Sequence, residues 1–276
     1  MFLINGAAQC ALDVSDRGFQ YGDGLFETIE IDEGRLVFFD RHLRRLLQGC
    51  HRLHIPFVDN DALIAEAEAV AIEMARGVLK IIVTRGSGGR GYRQPDFIAP
   101  TRVISTHPFP DYPENHARDG IAARVCTTRL GLNPTLAGIK HLNRLEQIMA
   151  RAEWHDTAIQ EGLMLDTDEN VIEGTMTNLF YVIDGHLHTS ELLRSGVAGI
   201  MREIILELAR ANQLTVSKHY FGIDELSNAD EVFVCNSIIG LWPVARIDDK
   251  RFVIGPVTRQ ISDWLAEYKT KWLQTC

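Results

Sequence analysis

Ala137-Gly138-Ile139-Lys140-His141-Leu142-Asn143-Arg144-Leu145-Glu146-Gln147 joins a strand-like segment, residues 121–128, to a helical pattern over 143–154. The helix is predicted from Leu145, Ile148, Met149 and Ala152, whose spacing gathers them on one face. Asn143 with Glu146 three residues later has the form of a capping box, with Asn in place of the usual Ser or Thr. Lys140 thus stands where a strand and loop give way to a helix, a junction at which a side chain can face a cleft.

Working outward, the chain alternates between two- and 3.6-residue periods. Residues 26–31 and 36–39 flank Asp32-Glu33-Gly34, a hairpin signal. Leu43, Leu46, Leu47, Cys50 and Leu53 then predict a helix that ends before Pro56, and a second helix is expected over 59–76. Buried strands are expected at 78–84 and 103–106. Proline and polar residues follow from Pro108 to Pro113. Beyond Lys140, strands are expected at 162–166, 178–183 and 231–235. Helices are expected from Gly199, with Ile200, Ile204, Ile205 and Leu208 as its apolar stripe, and from Val257. The expected organisation is a mixed α and β (α+β) chain with an N-terminal domain at 1–107, a linker at 108–118 and a C-terminal domain at 119–276.

Length and composition support two domains. The 276 residues exceed what one core usually organises, and 46% hydrophobic with 24% charged residues is an ordinary globular balance. A net charge of −9 without a basic run argues against nucleic acid. No apolar run reaches the roughly 18 residues of a membrane span, and the N-terminus lacks the pattern of a signal peptide. Cys10, Cys50, Cys126, Cys235 and Cys276 are scattered without C-x-x-C spacing, which suits reduced thiols and a cytoplasmic location.

Two motifs fail on context. Gly86-Ser87-Gly88-Gly89-Arg90-Gly91 satisfies G-x-G-x-x-G, but Tyr92-Arg93-Gln94-Pro95 follows where a dinucleotide fingerprint needs a helix. A glycine loop beside a site is the better reading. His51 and His54 lie three apart on a predicted helix without a third ligand at metal spacing, so no metal is expected.

The chain has six lysines. Lys269 and Lys271 belong to the C-terminal tail, Lys250 to a charged turn, and Lys218 follows a short polar segment. Lys140 and Lys80, the latter in an apolar strand, remain as candidates for a partly desolvated amine able to condense with an aldehyde. Pyridoxal phosphate (PLP) would need a carboxylate at its pyridine nitrogen and amides, hydroxyls or an arginine at its phosphate. Glu173, in Val171-Ile172-Glu173-Gly174-Thr175-Met176-Thr177-Asn178, offers the first. Gly196-Val197-Ala198-Gly199-Ile200-Met201-Arg202 offers the second, with Asn236, Ser237 and Arg45 as further donors.

These stretches, with Met1-Phe2-Leu3-Ile4-Asn5-Gly6, Asp16-Arg17-Gly18-Phe19-Gln20-Tyr21-Gly22-Asp23-Gly24 and Arg85-Gly86-Ser87-Gly88-Gly89-Arg90-Gly91-Tyr92, resemble fold-type IV PLP enzymes. The likeness runs over essentially the whole chain. Within that group the stretches at 85–92 and 140–146 are similar to aminodeoxychorismate lyases, while those at 16–24 and 173–180 are shared with transaminases. The resemblance implies a two-domain fold like that of D-amino-acid aminotransferases, with the cofactor between the domains, and a homodimer. It implies Lys140 as the Schiff-base lysine and Glu173 as the partner of the pyridine nitrogen. Arg45, Asn236, Ser237 and the backbone of Ile200 and Met201 become phosphate contacts. Arg90 and Tyr92 match a loop that approaches the substrate carboxylate. The implied reaction converts 4-amino-4-deoxychorismate to 4-aminobenzoate and pyruvate, in folate biosynthesis. Thr175-Met176-Thr177 departs from the residues usual after the glutamate, so its contacts stay open. The competing readings are a D-amino-acid or branched-chain aminotransferase of the same fold, and a non-catalytic PLP- or nucleotide-binding module.

Overall fold

The structure, a computed structural model, describes residues 1–56 and 59–275. The chain divides into two compact units, Met1–Asp111 with Ile139–Asn143, and Tyr112–Gly138 with Arg144–Cys276. Lys140 therefore belongs to the first unit, although its place in the chain lies within the expected C-terminal domain.

The first unit contains β1 (Phe2–Ile4), β2 (Ala7–Ala8), α1 (Arg17–Tyr21), β3 (Gly24–Asp32), β4 (Arg35–Leu36), α2 (Phe39–Arg52), α3 (Asn60–Ala71), β5 (Arg76–Thr84) and β6 (Thr101–Pro108). Its strands form one antiparallel sheet in the order β2-β1-β6-β5-β3-β4. Alternation along β3 turns Leu25, Ile29 and Ile31 to a core shared with Leu46 and Cys50 of α2 and Leu63 and Ala67 of α3. Each fully buried aliphatic side chain there contributes roughly 1.5–3 kcal/mol. The second helix stops at Ala71, short of the expected 76, because Arg76 already pairs with Asp32 in the sheet.

The second unit contains α4 (Asn115–Asp119), β7 (Ile121–Leu130), α5 (Leu145–Arg151), β8 (Glu161–Asp166), β9 (Val171–Gly174), β10 (Asn178–Ile183), β11 (His186–Ser190), α6 (Ile200–Ala211), β12 (Val216–His219), α7 (Ile223–Ser227), β13 (Glu231–Asn236), β14 (Gly240–Ile247), β15 (Lys250–Arg251) and α8 (Pro256–Thr275). The strand order is β12-β11-β10-β13-β14-β7-β8-β9, with β15 on β14. A further pairing of β9 with β10, Glu173 opposite Asn178, closes part of this sheet into a ring.

The capping box expected at Asn143 does not form. The helix begins at Leu145, after Arg144 at the cap position, whose side chain does not cap the helix, and the Asn143 Nδ2 donates instead to the Gly22 carbonyl at 3.1 Å. The apolar stripe of α5 is also not core, since Leu145, Ile148 and Met149 are 74%, 60% and 60% exposed. Among the described residues, no helix is long and apolar enough to cross a membrane.

Candidate active site

In the first unit, residues 140–142 run alongside the start of β3. The Phe26 N–H donates to the Lys140 carbonyl at 3.0 Å, and the Leu142 N–H donates to Gly24 at 3.0 Å. Leu25 and His141 pair as an antiparallel bridge. This pairing holds the Lys140 Nζ 4.2 Å from the centre of the Phe26 ring, while the Lys80 Nζ is 5.6 Å from the same centre. Both lysines left open by the sequence thus reach one ring, and Lys140 comes closer.

On the core face of β3, Glu27 is buried. It accepts from Arg45 Nε at 2.8 Å and Nη2 at 2.5 Å, and His42 Nδ1 lies 2.7 Å from its Oε2. Burial alone would raise the Glu27 carboxyl, but the Arg45 guanidinium and the His42 ring outweigh it and hold it at about 2. A charged carboxylate only accepts, so His42 Nδ1 carries the proton and Nε2 presents a lone pair. Burial, opposed by Glu27, keeps the His42 ring below its ordinary range, and the charges of Arg45 and Lys140 act in the same direction. His42 Nε2 is buried without a hydrogen-bond partner. Arg45, expected at a phosphate, is tied to Glu27.

The segment 16–24 builds the glycine loop. The Asp16 Oδ1 accepts the Gly18 N–H at the start of α1, and its Oδ2 accepts the Thr84 hydroxyl. Arg17 donates to Asp23 at 2.9 Å and to the Gly91 carbonyl at 2.9 Å, with its guanidinium 4.9 Å from the Tyr21 ring centre. Asp23 also takes Arg85, at 2.7 Å. Burial would raise its carboxyl, yet Arg85 and Arg17 hold it below the usual range. Ser15, Gln20, Tyr21, Ser87 and Arg90 line a cleft of about 700 Å³. Tyr92 is 88% exposed and stacks edge-on against Tyr21 at 5.7 Å. No helix opens after Gly91 before Asn115, so the loop is not a dinucleotide fingerprint.

In the second unit, Glu173 at the end of β9 is buried. Its Oε2 accepts the Val197 N–H at 2.8 Å, and Gln147 Nε2 lies 3.5 Å from Oε1. Arg144, held below its ordinary range by burial, and the buried Arg202 both feel the Glu173 charge. Asn178 clamps the following turn, with Nδ2 donating to the Val197 carbonyl at 2.9 Å and Oδ1 accepting the Gly199 N–H at 3.1 Å. Gly196 has φ +81, and a Cβ there would meet Ile172 at 2.8 Å. A Cβ on Gly199 would lie 2.1 Å from Asn178 Oδ1. This small-residue turn delivers the chain into α6, whose Gly199 cap makes no side-chain hydrogen bond. The leading amides of Ile200 and Met201 have no acceptor within the helix, and they stand at its positive end.

Asn236 uses its side chain locally. Its Oδ1 accepts the Ile238 and Ile239 amides at 2.8 and 2.9 Å, and Nδ2 donates to Met176 at 3.1 Å. Ser237 follows in the same turn. The divergent stretch 174–177 turns its hydroxyls inward, with Thr175 and Thr177 donating to buried Glu161 at 2.6 and 2.8 Å. Cys50, Cys126 and Cys235 are buried, and burial pushes their thiols up to about 12, which removes them as nucleophiles. Cys276 lies outside the described residues.

The class IV aminotransferase family model matches residues 24–247. The chain belongs to this family. Among class IV relatives, it is 38% identical to the aminodeoxychorismate lyase of Vibrio harveyi over 95% of this chain and 98% of that one. It is 30% identical to the D-alanine aminotransferase of Bacillus licheniformis, over 94% and 93%. The crystal structure of 4-amino-4-deoxychorismate lyase from Pseudomonas aeruginosa superposes with a TM-score of 0.94 and 46% identity, covering 97% of this chain and 98% of that one. The branched-chain aminotransferase of Escherichia coli shares the fold, with a TM-score of 0.82 at 24% identity over 95% and 91%. The expected mixed α and β fold of type IV is borne out.

Sequence reasoning missed Asn178, Glu27 and His42. Asn178 stands at a strand start whose next residues are all apolar, which signals a buried amide with a task. Glu27 shares its strand face with Leu25 and Ile29, so the two-residue period marks it as a buried charge.

Proposed function

We propose that this chain is a PLP-dependent lyase that converts 4-amino-4-deoxychorismate to 4-aminobenzoate and pyruvate. The observation that carries the reading is the near-complete match to lyases, at 38% and 46% identity, against 30% and 24% for the two aminotransferases named above. The residues present fit the cofactor. A buried carboxylate at Glu173 suits a protonated pyridine nitrogen, and the uncapped amides at the start of α6 suit a phosphate. When bound, PLP supplies an electron sink for the carbon that bears the substrate amine.

The Lys140 amine would hold the cofactor through its aldehyde, and the Glu173 carboxylate would keep the proton on the pyridine nitrogen. Ile200 and Met201 would hold the phosphate through their amides, with Asn236, Ser237 and Arg45 as further donors. The Lys140 amine would remove the proton from the ring carbon that bears the substrate nitrogen. The enolpyruvyl C–O bond then breaks, and Lys140 returns a proton to the departing fragment, which leaves as pyruvate. Substrate and the two products balance without any added oxidant or amino acceptor, and the aromatic ring makes the step downhill. Arg90, which lines the cleft, and Tyr92, packed edge-on against Tyr21, would orient a substrate carboxylate. The exposed Leu145, Ile148 and Met149 suit burial against a second copy, in line with a homodimer. A cytoplasmic location fits a chain of reduced cysteines.

The test is incubation with 4-amino-4-deoxychorismate in the absence of any keto acid. Equal amounts of 4-aminobenzoate and pyruvate are expected. Failure to form them, together with glutamate formation from an amino acid and 2-oxoglutarate, would replace the lyase with an aminotransferase.

A further inference from the structure

At one edge of the second unit's sheet, three side chains that are far apart in sequence meet. His188 lies on β11, His219 ends the parallel neighbour β12, and Glu225 is in the first turn of α7. One ligand atom from each falls within 4.8 Å of the others. The His188 and His219 rings meet edge to face at 5.4 Å, and Tyr181, directly across from His188 on β10, stacks on it at 4.9 Å. This packing holds the His188 ring in place.

We propose that His188, His219 and Glu225 form a binding site for a divalent late first-row transition-metal ion, with zinc as the reference case. Two imidazoles and a carboxylate favour such ions over magnesium or calcium, which prefer all-oxygen sites. Bonds of about 2.0–2.1 Å place ligand atoms roughly 3.4 Å apart in a tetrahedron, so side-chain adjustments suffice to close the observed spacing. A supporting contact is already built, as the Tyr181 hydroxyl donates to Glu225 Oε1 at 2.5 Å and orients the carboxylate. His219 Nε2 lies 2.9 Å from the same oxygen, and with its proton moved to Nδ1 or lost to solvent it would coordinate a metal through its lone pair.

The hydrogen bonds of Tyr181, His219 and Glu225 leave one need unmet. His188 Nδ1 is shielded from solvent and has no hydrogen-bond partner. The side chains of His219 and Glu225 are 34% and 42% exposed, which provides an entry path. His186 lies two residues before His188, on the same face of β11 and exposed, so it or water can complete the coordination.

Holoenzyme stripped of metal with a chelator would be titrated with zinc in competition with a chromophoric chelator. One zinc per chain is expected, with a rise in melting temperature. His188→Gln and His219→Ala should each weaken binding at least about tenfold, and Tyr181→Phe roughly tenfold. His51→Ala, which removes a histidine that is not part of the cluster, should bind as the parent does. No zinc uptake by the parent, or equal uptake by the parent, His188→Gln and His219→Ala, would overturn the assignment. Neither readout depends on lyase activity.

Discussion

Glu173 and Asn178 stand directly opposite each other where β9 meets β10, and both grip Val197, one through its N–H and the other through its carbonyl. The pairing that closes the strand ring therefore also sets the turn leading into α6. Asn178→Ala would leave the Val197 carbonyl and the Gly199 amide without these partners, at about 1–3 kcal/mol. PLP affinity should fall roughly 10- to 100-fold, measured by equilibrium titration of the cofactor-free protein. Unchanged affinity would detach the turn from cofactor binding.

For Glu173→Gln, the Val197 N–H keeps an acceptor and the fold should persist. Cofactor content should remain near that of the parent, while turnover drops roughly 100-fold or more because the pyridine nitrogen loses its charged partner. Turnover equal to the parent's would remove Glu173 from the chemistry.

Arg17 serves the glycine loop. It bonds Asp23 and the Gly91 carbonyl, so Arg17→Ala frees the loop that carries Arg90 and Tyr92. KM for 4-amino-4-deoxychorismate should rise roughly tenfold with kcat within about twofold, the signature of lost uniform binding. A fall in kcat at constant KM would contradict this division of labour.

Glu27 ties stability to pH. Its folded value of about 2 lies below the ordinary 4.5, so its contribution is complete above pH 4.5 and is lost as pH falls toward 2. The shift corresponds to about 3 kcal/mol. His42 acts in the same direction from a higher pH. Its folded value is depressed, so proton uptake by the unfolded chain erodes stability below 6.5. In urea unfolding, Glu27→Gln should cost about 3 kcal/mol at pH 7, since it takes the buried carboxylate from the partly buried Arg45 guanidinium. The gap between Glu27→Gln and the parent should narrow between pH 4.5 and 2. A pH-independent gap would assign the loss to packing.

Local periodicity was legible wherever packing followed it. Residues 178–183 read as a strand and are β10, and the apolar stripe from Ile200 gives α6. What escaped depended on partners far away in the chain. Asn143 reads as a cap until the Gly22 carbonyl claims it, and helical spacing at Leu145, Ile148 and Met149 says nothing about what covers that face. The site was legible as residue types, Lys140, Glu173 and the small-residue turn. The clamp by Asn178 and the meeting of His188 with His219 depend on strand order, which no local pattern encodes.

The central claim is that the amine of Lys140, held over Phe26, carries the cofactor. Borohydride reduction of the PLP-loaded protein, followed by peptide mapping, tests it most directly. The account predicts a single stable label on Lys140 and none on Lys80, with labelling abolished in Lys140→Ala. A label on Lys80, or on any other lysine, would contradict it.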